Sequence, residues 1–487
     1  MVSLRKQAFK GIKWTTVSSG FTTSLQLVRL TILAHLLTPE DFGIVAMVVV
    51  VIGFIQAFSD MGVSNAIIHR QASNKQQLSS LYWLNIFAGV SVFIVLILSR
   101  SLIASFFQEP KLTNLIVLAS LVFLIMPFGQ QFQLLLQKEL RFTLLAIVEM
   151  VSTFFDLLVA VMSALFGYGV LSLIFGQLFG AAVKAFLLTI IGFKEWRPIF
   201  HFSRSDLKGF LRFGAFQMGE RSINYLSANF DYLLIGRFLG PEFLGVYSIA
   251  YQIVISPLLK INPVLTRVAF PIFAKKQHDN IALQKGYLEM SKLLALICLP
   301  ILIGIAATAH LIIPLFFGDE WLLAVGLVQI LTVVGATKTF GNPIGSILLA
   351  KGRADIGFYW NVFVAIINFF SFWFAVSYGV NAVAWTYAFL SIIYFFLIVR
   401  ILQYVISLPW KQYFAVFIYP AVSSAVMGSL VYVSFFVALK KIDIQIALPI
   451  LIILGGSVYI FSILILEKHN LLSFWQLLKE KPTGSEG

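Results

Sequence analysis

Apolar residues run through this chain in long blocks, separated by clusters of charge and by Gly/Pro turns. A block of about 20 apolar residues carries an α-helix across the hydrocarbon core of a bilayer. Cutting at the breaks predicts about 14 such helices. The first six fall at roughly 12–36, 43–66, 78–104, 112–137, 143–165 and 170–193. The next six fall at roughly 210–238, 243–270, 289–317, 322–349, 355–377 and 381–403, and the last two at roughly 413–438 and 446–466. The fold class is therefore an all-α polytopic membrane protein.

The polar positions inside the blocks are patterned. In the first, Thr15, Ser18, Ser19, Thr22, Gln26 and Arg29 recur every three or four residues, which places them on one helical face. The seventh carries Gln217, Glu220, Arg221, Asn224 and Asp231, the eighth Gln252, Ser256, Lys260, Pro263 and Arg267, and the second Gln56, Asp60 and Asn65. A charge at mid-bilayer costs about 2.5–3.5 kcal/mol even on the lenient scale, so these faces turn away from lipid. Two readings fit: the stripes line a water-filled cavity, or Arg29 and Asp231 pair to hold two halves together. Lys260 and Arg267 also fit a third, with the cations snorkelling to the surface. The remaining embedded charges, Glu149, Asp156, Lys184, Glu289, Lys292 and Lys338, read as structural or interfacial. Pro127, Pro257, Pro263, Pro300 and Pro343 are expected to interrupt helices, and Gly176-Gln177-Leu178-Phe179-Gly180 reads as a close-packing GxxxG.

The chain also repeats itself. Leu37-Thr38-Pro39-Glu40-Asp41-Phe42-Gly43 returns as Leu239-Gly240-Pro241-Glu242-Phe243-Leu244-Gly245, a shift of 202 residues. Ile103-Ala104-Ser105-Phe106-Phe107 and Tyr168-Gly169-Val170 return at a shift of 210, and Leu135-Leu136-Gln137-Lys138 at 213. The order of the matches is kept, each at the same helix end. The predicted organisation is two six-helix lobes, 1–193 and 210–405, joined by a cytoplasmic linker 194–209. Two extra helices and a tail follow at 406–487. A unit of six helices is even, so both copies enter the membrane the same way up, with an axis along the membrane normal and a substrate path between them.

Composition sharpens this. Of 487 residues, 59% are hydrophobic and 11% charged, against roughly 45–50% and about 25% in soluble proteins. A single cysteine, Cys298, excludes a disulfide framework and Cys-based metal centres, and the six histidines show no metal-ligand spacing. The net charge of +14 would suggest nucleic acid in a soluble protein. Here about 23 Lys/Arg fall on one predicted side and about 5 on the other: Arg100, Lys111, Arg237, Lys440 and Lys441. The charge thus describes orientation, with both termini cytoplasmic, and calls for no nucleic-acid partner. The first helix follows Arg5, Lys6, Lys10 and Lys13 without a cleavage site and is expected to be retained. No Walker A, HExxH or Rossmann pattern is present, so neither an ATP-driven pump nor a metalloprotease is expected.

One set of motifs points further. Leu37-Thr38-Pro39-Glu40-Asp41-Phe42-Gly43, Asp60-Met61-Gly62-Val63, Gln137-Lys138-Glu139-Leu140-Arg141-Phe142 and Asp231-Tyr232-Leu233-Leu234-Ile235-Gly236, followed by Gly245-Val246-Tyr247, occur in that order. Together they resemble the polysaccharide transporters of the MOP flippase superfamily, the Wzx-type exporters, and in particular the colanic acid and teichuronic acid branch. The resemblance spans nearly the whole chain. It implies a bacterial inner-membrane flippase, not an enzyme, for an undecaprenyl-diphosphate-linked oligosaccharide repeat unit of a surface polysaccharide. It further implies alternating access and no cofactor beyond proton or sodium coupling. Polysaccharide polymerase and chain-length regulator are the expected partners. The family motifs assign no site residues; the stripes supply the candidates. Arg29, Arg221, Lys260 and Arg267 suit the diphosphate, and Asp60, Glu220 and Asp231 suit coupling or charge pairing. The alternatives are a multidrug/cation antiporter of the same superfamily, a lipid II flippase, and a polytopic glycosyltransferase or polymerase.

Overall fold

The computed structural model describes residues 4–59, 74–207, 210–341 and 343–466. Among them the regular structure is helical throughout, and fourteen long helices stand where fourteen are expected. These are α1 (Leu4–Leu36), α2 (Pro39–Ser59), α3 (Lys75–Phe107), α4 (Leu112–Lys138), α5 (Phe142–Leu165), α6 (Val170–Gly192) and α7 (Phe210–Phe238). There follow α8 (Pro241–Lys275), α9 (Asn280–Phe317), α10 (Leu323–Ala350), α11 (Ala354–Val376), α12 (Val380–Ile406), α13 (Trp410–Ser434) and α14 (Ile444–Leu466). Eleven are long and apolar enough to cross a membrane. The two least apolar, α1 and α7, are repeat partners that carry polar stripes. Wide apolar surfaces remain exposed on spanning helices, as at Leu98 (76%) and Ile453 (69%), where hydrocarbon is the medium.

Several prolines depart from expectation. Pro127 and Pro300 lie inside continuous helices, and α8 runs unbroken past Pro257 and Pro263. Each removes one backbone donor, a loss that neighbouring helices and local adjustment absorb. Pro343 does mark a break, opening the short second segment of α10, Ile344–Ala350. The fourth helix breaks where no proline stands, at Leu121 between Leu112–Ser120 and Val122–Lys138.

The chain folds as two compact units. One comprises Met1–Ile249 and Phe358–Thr386, the other Ala250–Gly357 and Tyr387–Gly487. In the first, the repeated motif explains itself physically. Thr38 and Asp41 exchange hydrogen bonds that cap α2: the Asp41 carboxylate accepts from Thr38 N–H at 3.1 Å, and the Thr38 hydroxyl from Asp41 N–H at 3.3 Å. Pro39 takes the first helical position, and Glu40 and Asp41 face the positive helix end. The closing glycine has a separate task. A Cβ on Gly43 would overlap the carbonyl of Pro241, and one on Gly245 would overlap the carbonyl of Pro39. Copy one meets copy two through the same pair of residues in both directions, which is the contact a twofold axis creates.

The linker is tied to the start of α3. Asp206 accepts from Ser80 Oγ at 2.8 Å and pairs with His201 at 2.9 Å, while Trp83 Nε1 donates to the Ile199 carbonyl at 2.9 Å. In the second unit α13 and α14 pack against α9 around Leu311, Met427, Val431, Leu448 and Leu451. The embedded Lys338 donates to Tyr251 Oη at 2.9 Å and lies over the Tyr251 and Tyr387 rings, a structural role.

Candidate functional site

Arg29 sits far along α1, its side chain mostly buried at 16% exposure, and finds its partner on α5. Its guanidinium lies 3.3 Å from Asp156 and donates to the Leu173 carbonyl of α6 at 3.2 Å. The GxxxG of α6 makes this possible. A Cβ at Gly176 would fall 2.7 Å from an Asp156 carboxylate oxygen, and one at Gly180 would fall 2.8 Å from the Asp156 Cβ. Two missing side chains thus let α6 close over the acid. Two more residues of the α1 stripe lie in the same packing: Ser18 is buried and donates to the Ala146 carbonyl of α5, and the buried Thr22 donates back to the Ser18 carbonyl. Arg29 thus bridges α1, α5 and α6, and its partner is Asp156 and not Asp231.

Asp231 is buried on α7 and accepts from Tyr247 Oη at 2.7 Å and from Tyr232 N–H at 3.0 Å. It ties α7 to the start of α8. Just before it, Asn229 leaves helical geometry (φ −130°, ψ 16°), so α7 is kinked.

Arg221, one helical stripe down from the kink, faces a cavity of about 760 Å³. The walls come from α2, α4, α6 and α7, so both sequence repeats contribute. Lys184 of α6 is the second cation, and Gln56, Gln130, Gln133 and Asn224 add amides. No carboxylate lines it among the described residues. Such a wall offers many donors and two positive charges to a polyhydroxylated anion. Close packing shapes it: a Cβ on Gly129 would come 2.7 Å from the Ala185 Cα, so α4 and α6 touch in the wall of the hollow.

The sequence makes Arg221 a site candidate and reads Lys184 as structural or interfacial, and the structure brings both into this wall. The signal was present: Ala181, Lys184, Ala185 and Leu188 share one face of α6, a lysine among small residues. The glutamines of Gly129-Gln130-Gln131-Phe132-Gln133 were equally visible. Of the other candidates, Asp60 lies outside the described residues, and the side chains of Glu220, Lys260 and Arg267 lie outside those described.

The sequence signature of the family described as polysaccharide biosynthesis protein matches residues 32–326. The teichuronic acid biosynthesis protein TuaB of Bacillus subtilis (strain 168) is 39% identical over 463 residues, 95% of this chain and 96% of that protein. This chain belongs to the polysaccharide biosynthesis protein family. A second relative, the lipopolysaccharide biosynthesis protein WzxC of Escherichia coli (strain K12), is 37% identical over 74% of each chain. Among solved structures, the lipid II flippase MurJ in an inward closed conformation superposes with a TM-score of 0.78 at 15% identity, covering 93% of this chain and 98% of that one. An inward-facing multidrug resistance MATE transporter of the MOP superfamily gives 0.61 at 17% identity. Those likenesses are of fold, and the fold of this family member is that of the MOP transporters.

Proposed function

We propose that this protein is a flippase for undecaprenyl-diphosphate-linked oligosaccharide repeat units, acting by alternating access in a bacterial inner membrane with both termini cytoplasmic. The observation that carries the reading is the cavity whose wall brings Lys184 and Arg221 together with the amides of Gln56, Gln130, Gln133 and Asn224, in a chain whose relatives are named for teichuronic acid and lipopolysaccharide biosynthesis. A sugar diphosphate crossing hydrocarbon unaided would leave its polar groups unpaired at several kcal/mol each. A hollow that supplies donors and cations removes that penalty while the lipid tail stays in the bilayer. The protein moves its substrate without transforming it. Proton or sodium binding drives the cycle, and the flipped unit passes to a polymerase and chain-length regulator. Two cations in the wall argue against a cationic drug as substrate, which supports this reading over a multidrug antiporter.

The test is deletion of the gene in its host, followed by extraction of lipid-linked intermediates and assay of surface polysaccharide. Repeat units trapped on the cytoplasmic face with loss of surface polymer are expected. Unchanged polysaccharide with new sensitivity to cationic drugs would overturn the reading in favour of the antiporter.

A further inference from the structure

A second hollow adjoins the first. It has a volume of about 350 Å³, lies between α2, α3 and α7, and is apolar except for Ser99, Tyr225 and Asn229. Tyr225 lines both hollows. Its ring is seated against α2 where Gly53 offers no side chain, since a Cβ there would overlap the phenol, and its hydroxyl donates to the Val49 carbonyl at 3.3 Å. Along α7 the two hollows follow one another. Arg221, Asn224 and Ala228 face the polar one, and Leu226, Asn229 and Leu233 face the apolar one. At about 1.5 Å per residue the step from one to the other is under two helical turns. The outer wall of the apolar hollow belongs to membrane-spanning α3, where Val95 is 53% and Leu102 72% exposed. That side therefore meets hydrocarbon.

From this juxtaposition we infer that the α2–α3–α7 groove seats the isoprenoid tail of a lipid diphosphate whose headgroup occupies the Lys184–Arg221 cavity, with Tyr225 as the partition between them. The inference rests on the flippase reading and adds a tail site to it. An amphipathic ligand needs adjoining polar and apolar compartments, a polar end rich in cations, and an apolar end open to the bilayer. All three meet at one side chain. The asymmetry also fixes which way round the ligand lies: the diphosphate sits toward Arg221 and the chain leaves past Leu226 and Leu233.

The experiment uses the full chain in lipid nanodiscs and two photoactivatable probes. One is a polyprenyl diphosphate-linked sugar with a diazirine in the first isoprene units; the other is the same tail ending in an alcohol. Labelled peptides are mapped by mass spectrometry. The expected result is labelling of the segments holding Ser99, Leu102 and Leu226, at least fivefold stronger for the diphosphate probe, and falling to the level of the alcohol probe in Arg221→Ala. Ser99→Trp, which fills the groove, is expected to lose the groove label. Labelling that depends on the diphosphate and on Arg221 but maps to helices away from the groove would overturn the tail site and leave the flippase reading standing. Equal labelling by both probes at every position would overturn the headgroup assignment, and the tail site with it.

Discussion

Arg29 and Asp156 are a buried ion pair, and a pair of that kind is recognised by what happens when it is broken. Removing one partner leaves the other charge uncompensated at about 3–5 kcal/mol, whereas replacing both by apolar residues is often neutral. Asp156→Ala is therefore expected to unfold at markedly lower temperature in detergent, and Arg29→Met with Asp156→Leu to recover most of the loss. A double variant as unstable as the single one would refute the clamp. At the cavity the expectation is different. Hydrogen bonds to charged groups are worth about 1.5–3 kcal/mol, so Arg221→Ala and Lys184→Ala should each weaken export about tenfold or more at normal protein levels. Arg221→Lys keeps the charge but loses the planar fork and should fall between. Export that survives both alanine variants would remove these two residues from the substrate path.

The helices were legible because they rest on local chemistry, whereas the two compact units cut across the six-helix lobes expected at 1–193 and 210–405. Thr38-Pro39-Glu40-Asp41 starts a helix by the bonds its own side chains make, and the return of the motif 202 residues later marks the second copy. The contact between the copies gives a direct test. Gly43→Ala and Gly245→Ala each push a methyl into a backbone carbonyl, so each should cost about 1–3 kcal/mol, the usual penalty of overpacking. The two losses should be alike because the contact is reciprocal. Gly326→Ala, in α10 with open space around it, should be neutral or stabilise by up to about 1 kcal/mol. Thermal unfolding of the three variants side by side decides the matter. What sequence could not supply was pairing at a distance. Asp156 was one of several embedded charges, and nothing in its neighbourhood named Arg29. Lys184 was obscured because the small residues beside it form no polar period, and only the packing of α4 on α6 turns that face toward a hollow.

At the scale of the whole molecule, the single Cys298 is buried, which makes topology measurable. In a Cys298→Ala background, single cysteines at Lys13 and in the 194–207 linker should react with an impermeant thiol reagent only in inverted vesicles, and one at Lys111 only in intact cells. The reverse pattern would turn the molecule over and overturn the cytoplasmic placement of the termini. The Arg29–Asp156 clamp also bears on how such a chain is made. The two residues are 127 apart in sequence, and a ribosome adds about 5–20 residues per second. For on the order of ten seconds the nascent α1 holds its arginine with no counter-ion yet synthesised, so α1 should settle in the bilayer only once α5 has followed it.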